Sequence, residues 1–365
     1  MLDTASDTAF LRAILASPDD DAPRLIYADW LDENGDPDRA EFIRLQMRLH
    51  RSGSLDPDYA DLKARAEDLG RTHHVEWVNQ LPQLAGVHWE IFDRGFISAA
   101  KFDTPDAFFD SADEVFAAAP VHEVRLHNFY WQDATRLADC QHLARVRVLD
   151  LNDGNRISNK GIEALIASPH LRNLTELKLG RNALGSAGVR AIAESRHVRK
   201  LKLLKLERND MFDDGLRFLS ESANLAGLKI LDLERTRTGN DGVLALARSK
   251  HLHRLQFLDL SYNYLTDPGI TALTGSPVVS DLRDFFLQGN QIGDDGARAL
   301  AASESFGRLE RIFLRQNKIT DEGATALARS PYLEHLRELY LGLNRISDLA
   351  GDELRRRFRS RVNLY

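Results

Sequence analysis

The sequence predicts an α/β solenoid, in which short parallel strands each lead into a helix and the units stack along the chain behind a small helical N-terminal domain. Three observations carry this prediction. Asn182, Asn209, Asn263, Asn290, Asn317 and Asn344 fall on one 27-residue grid, with Thr236 in the vacant place. Ser168, Ser195, Ser222, Ser249, Ser276, Ser303 and Ser330 keep the same step, and so do Gly161, Gly188, Gly215, Gly242, Gly269, Gly296 and Gly323. Phased ladders of this kind mark units that bury too little surface alone and must stack.

One unit runs from Leu255 to Leu273. Leu258 and Leu260 alternate with Asp259, as in a short strand with one buried face. Asn263 supplies a side chain that satisfies backbone groups where the chain turns away, and stacking passes those bonds from unit to unit. The helix start is marked by Asn159, Ser186, Asp213, Asn240, Asp267, Asp294, Asp321 and Asp348, each expected to cap its own helix. Pro268 stands just after Asp267, where a helix tolerates proline best. The grid serine, followed by proline at Pro169, Pro277 and Pro331, marks the helix exit. The pattern L-x-x-L-x-L-x-x-N at this step resembles the leucine-rich repeats of the ribonuclease-inhibitor type over roughly 146–361. That resemblance implies a horseshoe with a concave parallel sheet and convex helices.

Three regions follow. Residues 1–70 hold 16 acidic and 8 basic side chains, a net −8, although the whole chain of 365 residues carries only −7. They contain the string DDDAPRLIYADWLDENGDPDRAEFIRLQ, with apolar stripes at Phe10, Leu11, Ile14 and Leu15 and again over Leu25–Leu31. The string resembles the short repeat-companion domain found before many bacterial leucine-rich repeats, which implies a bacterial protein and brings no catalytic residues with it. Residues 71–145 are expected to cap the array. They hold a hairpin turning at Arg94-Gly95, a helix from Thr104-Pro105 to Ala119, and a degenerate first repeat at Val121–Leu126. Residues 146–365 are the 27-residue repeats with a C-terminal capping helix; the first carries one extra residue in Leu149–Asn155.

Composition narrows the chemistry. A 43% apolar and 28% charged chain is ordinary for a folded protein. The lone Cys140 excludes an intrachain disulfide and reads as a buried structural thiol in a helix of the capping region. The N-terminal residues lack the basic start and apolar run of a secretory leader, and no apolar stretch approaches a membrane span, so a cytoplasmic location is expected. The net acidity disfavours nucleic acid. No cofactor or metal is expected: His73-His74 and His251-x-His253 lack partners at metal-site spacing, and Asp213-Asp214 and Asp294-Asp295 stand where helix caps are needed. Nucleophile elbows, P-loops and dinucleotide fingerprints are absent, so the chain does not read as an enzyme.

The informative residues are those that strand alternation turns away from the leucine core. At the x of L-x-L they are Asp150, Lys178, Lys205, Asp232, Asp259, Phe286, Phe313 and Tyr340. Two residues earlier stand Glu176, Leu203, Ile230, Phe257, Asp284, Arg311 and Glu338. Phe257, Phe286, Phe313 and Tyr340 should neighbour one another, with Asp259, Tyr262, Arg311 and Arg315 around them. Aromatics with arginines make up interface hot spots, so this face is the expected binding surface for a protein partner. Stacking along the ladder and self-association of the chain are the alternatives. A further alternative is regulation of a nucleotide-hydrolysing enzyme. Repeats of this type also resemble those of GTPase-activating proteins for Ran, and Arg156, Arg181, Arg208 and Arg235 stand beside the Asn ladder.

Overall fold

The computed structural model describes residues 4–53, 56–152 and 154–365. Asp153, inside the Leu149–Asn155 insertion, and the first three residues of the segment read for a leader lie outside the described residues. By internal contacts the chain divides between His127 and Asn128 into two compact units.

The first unit opens with helices α1 (Thr4–Ala16), α2 (Ala22–Glu33), α3 (Pro37–Ser52) and α4 (Tyr59–Asn79). Asp36 starts α3 by accepting the Arg39 N–H, with Pro37 at the first helical position, where its missing N–H costs nothing. The apolar stripes bury Ile14, Ala28, Leu31, Ala40, Ile43 and Met47 in one core with Phe96, while Phe42, Leu69 and Trp77 form a second. Strands β1 (Val87–Trp89), β2 (Phe92–Asp93), β3 (Phe96–Ile97) and β4 (Ala99–Phe102) follow, then α5 (Pro105–Ala118) and β5 (Glu123–Leu126). The hairpin turns at Arg94-Gly95, both with positive φ, and Thr104 caps α5 by accepting the Ala107 N–H. β4 pairs antiparallel with β1 and parallel with β5.

The second unit repeats one motif. Its strands are β6 (Val148–Asp150), β7 (Glu176–Lys178), β8 (Leu203–Lys205), β9 (Ile230–Asp232), β10 (Phe257–Asp259), β11 (Asp284–Phe286), β12 (Arg311–Phe313), β13 (Glu338–Tyr340) and β14 (Val362–Asn363). Each pairs parallel with the next in chain order. The middle residues Leu149, Leu177, Leu204, Leu231, Leu258, Phe285, Ile312 and Leu339 have no solvent-exposed surface. They pack beneath the helices of this unit: α6 (Trp131–Ala138), α7 (Ser158–Ile166), α8 (Ser186–Glu194), α9 (Phe212–Glu221), α10 (Asn240–Ala247), α11 (Asp267–Leu273), α12 (Asp294–Ala302), α13 (Asp321–Ala328) and α14 (Asp348–Phe358).

Three ladders of side-chain hydrogen bonds tie unit to unit. The buried Asn290 shows the first: its Nδ2 donates to Leu260 O at 2.9 Å in the preceding repeat, and its Oδ1 accepts the Leu265 N–H at 3.0 Å. Asn182, Asn209, Asn263, Asn317 and Asn344 donate in the same way. The second ladder corrects the sequence reading of the helix caps. Asp267 and Asp294 are the first residues of their helices, and their carboxylates reach forward to the next repeat, where Asp267 accepts the Gly293 N–H and Asp294 the Thr320 and Gly323 N–H groups. Asn159, Asp213 and Asp321 do likewise. In these repeats, donors at the helix start are thus satisfied by the preceding repeat. The third ladder runs through the grid serines: Ser276 Oγ donates to Ala247 O at 2.7 Å and Ser330 Oγ to Ala301 O at 2.6 Å, closing the helix ends of the preceding repeats.

The forward-reaching carboxylate explains the glycine step. A Cβ on Gly296 would lie 2.6 Å from Asp267 Oδ1 and 2.7 Å from Ile292 Cγ2, so the helices approach too closely for any side chain there. Cys140 differs from its sequence reading. It lies half-buried in the turn before the 3₁₀ segment Gln141–Arg145, because the helix Trp131–Ala138 ends short of it.

Candidate functional site

The first and third residues of each strand project from the sheet face opposite the leucine core, which gives the alternating burial of the strands from β6 to β13, with β9 departing from it where Asp232 is buried as well. Along the third position the face changes character. Lys178 Nζ lies 3.3 Å from Asp150, and Lys205 Nζ lies 3.5 Å from Asp232, so the first four strands satisfy this row with two ion pairs. Asp259 comes next without a cation partner among the described residues, and Phe286, Phe313 and Tyr340 complete the row.

The aromatic residues come together as the sequence predicts. Phe286 and Phe313 stack at 4.2 Å between ring centroids and Phe313 and Tyr340 at 4.5 Å, both within 8° of parallel. The ring spacing is close to the ~4.8 Å between strands, so in-register aromatics stack without distortion. Phe257, from the first position of β10, leans onto Phe286 at 5.0 Å. All four are half-buried: the ring faces cover one another and part of the edges stays open. The earlier strands complete the same row with ion pairs, so sheet formation does not itself require aromatic side chains here.

The polar residues around the stack are placed differently from one another. Arg311 is held by Asp284 through two hydrogen bonds, Nε at 2.5 Å and Nη2 at 2.8 Å, and Asp284 raises its pKa. Its guanidinium is committed to the neighbouring strand. Arg315 leaves β12 two residues past Phe313 and makes no ion pair among the described residues. Tyr262 belongs to the turn after β10: the Arg235 guanidinium lies 4.3 Å over its ring, and a Cβ on Gly289 would fall 2.3 Å from the ring. Arg181, Arg208 and Arg235 occupy the same turn position with positive φ, as do Tyr262, Gly289, Gln316 and Leu343. Arg208 and Arg235 both meet Glu234, at 3.5 and 3.0 Å. This left-handed row lacks a consistent glycine. Its conformation is held by inter-repeat bonds such as Tyr262 N–H to Gln288 O at 2.7 Å and Gln316 N–H to Gly342 O at 2.8 Å.

Asp259 is the electrostatic outlier of the face. Burial pushes its pKa from an ordinary 3.8 up to about 7, and the Asp232 and Glu234 carboxylates add to the rise, while hydrogen bonding from Ser261 opposes it. The Ser261 N–H donates to Oδ1 at 2.7 Å. The folded state therefore binds more protons than the unfolded chain between about pH 4 and pH 7, and stability falls as pH rises through that window. Asp259→Asn keeps the acceptor and removes the charge. It should stabilise the fold by on the order of 2 kcal/mol near pH 8 and by close to nothing near pH 4, after allowance for partial solvent screening. Urea unfolding at both pH values measures this, and an equal effect at the two would contradict it.

A cavity of about 500 Å³ lies on the edge where helices lead into strands, lined by Asp281, Arg283, Arg308, Glu310, His335 and Arg337. Its charges are paired internally, Arg308 with Asp281 and both Arg283 and Arg337 with Glu310. Among the described residues no group of three or more His, Cys, Asp or Glu is arranged to hold a metal ion, and no helix is long and apolar enough to cross a membrane.

Comparison with known proteins agrees with this geometry. A family model described as "Leucine Rich repeat" matches residues 170–193, 251–273, 282–301, 309–328 and 332–354. No curated protein sequence matches the chain. A solved structure of the Rad7 and Elc1 complex in yeast contains a chain similar to this one, with a TM-score of 0.60 and 16% identity, covering 91% of this chain and 87% of that one. Internalin C2 of Listeria monocytogenes is similar at a TM-score of 0.43 and 24% identity over 64% of this chain and 91% of its own. The internalin InlF of the same organism gives a TM-score of 0.44 and 16% identity over 67% and 72%. The chain carries leucine-rich repeats, built as a solenoid of parallel strands and alternating helices that follows an N-terminal helical region in the chain.

Proposed function

We propose that the repeat unit is a non-enzymatic interaction module that binds a protein partner on the concave side of its sheet and acts in the cytoplasm. The observation that carries this reading is the row Phe257–Phe286–Phe313–Tyr340, half-exposed and stacked on a face where fold maintenance needs no aromatics. Asp259, Tyr262 and Arg315 border the row, while Arg311 contributes through its paired Asp284. Leucine-rich-repeat proteins generally mediate protein–protein contacts, and one solved structure of similar fold is that of the complex of Rad7 and Elc1. Stacked rings are already ordered before a partner arrives, so little side-chain entropy is lost when their open edges are covered. A helical companion region before the repeats fits the same role as a tether or second contact.

The test compares affinity capture with the intact chain and with Phe286→Ala/Phe313→Ala/Tyr340→Ala. Hot-spot aromatics cost ~2 kcal/mol or more each on truncation, so the triple variant should lose its partner by more than a thousandfold. Recovery of the same partner by both proteins would overturn the reading.

A further inference from the structure

A second surface lies on the edge of the repeat unit where helices lead into strands. In four successive repeats the connecting segments are 168–175, 195–202, 222–229 and 249–256, and together they hold eight Lys and Arg and no Asp or Glu. Arg172, Arg199, Lys200, Lys202, Lys229 and Arg254 are all exposed, and none forms an ion pair among the described residues. Arg199 and Lys200 bond only to neutral amides, of Asn224 and Asn173. The later repeats differ, since Arg283, Arg308 and Arg337 on the same edge each meet a carboxylate. The basic strip is therefore confined to the earlier repeats. It adjoins apolar surface: Lys202 and Lys229 immediately precede the half-buried Leu203 and Ile230, the first residues of β8 and β9.

The chain carries a surface of matching chemistry. Helix α2 presents Ala22, Ile26, Asp29 and Glu33 at i, i+4, i+7 and i+11, all exposed and on one face; Asp29 also meets Arg44 at 2.7 Å, while Glu33 makes no ion pair among the described residues. Ile26 is 57% exposed, and Asp19 and Asp20 stand exposed just before the helix. An apolar residue framed by carboxylates fits an apolar row bordered by lysines in both charge and hydrophobicity. We propose that the basic edge receives the acidic outer face of α2 from a second copy of the chain, which gives head-to-tail association. Nucleic acid fits the strip less well, because the chain is acidic overall and the strip borders aliphatic side chains rather than bases' stacking partners. The contact joins two different surfaces, so association is open-ended unless the rotation between copies closes a ring.

Sedimentation velocity of the full chain tests this at about 0.02 M and about 0.5 M salt, which bracket the ~0.15 M at which charges are screened beyond ~8 Å. The weight-average mass should rise with protein concentration at low salt, and association should weaken at least tenfold at high salt. Lys202→Glu/Lys229→Glu alone and Ile26→Lys/Glu33→Lys alone should each stay monomeric with unchanged melting temperature. Their equimolar mixture should associate again, because one variant retains an intact α2 and the other an intact edge. The neutral pair Lys202→Gln/Lys229→Gln should give intermediate weakening and guards against misfolding of the charge reversals. A monomer at low salt, or association that survives both double variants, would overturn the proposal. So would salt-dependent binding of single-stranded oligouridylate by a chain that remains monomeric, which would assign the strip to nucleic acid.

Discussion

Asn290→Ala should lower the stability of the repeat unit by about 2–4 kcal/mol, although it removes only a few atoms from the core. The side chain makes four bonds: Nδ2 donates to Leu260 O, Leu287 O and, more weakly at 3.5 Å, Gln288 O, and Oδ1 accepts the Leu265 N–H. Asn290 is 7% exposed, so water cannot replace these partners after truncation. Two of the four bonds cross to the preceding repeat. Their loss leaves the buried Leu265 N–H unpaired where β10 turns toward its helix and takes one of two donors from Leu260 O, which keeps Asn263 Nδ2 at 3.1 Å; an unpaired buried group costs ~1–3 kcal/mol. The effect should spread, because each unit's core lies against its neighbours. Urea unfolding followed by far-ultraviolet circular dichroism measures it, and Gln316→Ala serves as a control on the exposed turn beside the ladder. A loss below ~1 kcal/mol for Asn290→Ala would mean that the ladder does not hold the repeats together.

The repeat architecture was legible because stacking imprints its period on the sequence. Leu258, Leu260 and Asn263 could be assigned from alternation and spacing alone, and the hairpin at Arg94-Gly95 and the Thr104 cap from local turn chemistry. The helix-start aspartates were legible in position but not in direction. Asp267 and Gly296 lie 29 residues apart, so an offset that links one repeat's carboxylate to the next repeat's glycine was present in the ladders. Nothing at Asp267 alone distinguishes capping its own helix from capping its neighbour's. The left-handed row at Arg181, Arg208, Arg235, Tyr262, Gln316 and Leu343 carries no local signature, since bonds from adjacent repeats, and not glycine, hold it. The strand Val362–Asn363 is too short for periodicity to reveal and forms because it completes the sheet edge beside β13. On the open face, sequence spacing located the aromatic stack but not the difference between Arg311, bound to Asp284, and Asp259, left without a cation.

Phe313 belongs to the open face of the sheet and Leu314 to the core. Leu314 has no exposed surface, and Leu314→Ala should cost ~3–5 kcal/mol through lost burial and the cavity left behind. Phe313 touches Phe286 and Tyr340 across the stack while its outer edge stays open, so Phe313→Ala should cost only ~1 kcal/mol, the worth of the ring contacts. Thermal unfolding of the two variants beside the parent chain is the direct measurement. Phe313→Ala melting within a few degrees of the parent, with Leu314→Ala far below it, is the predicted result. Equal destabilisation by the two substitutions would show that the aromatic row serves as core, and would contradict its assignment as a binding surface.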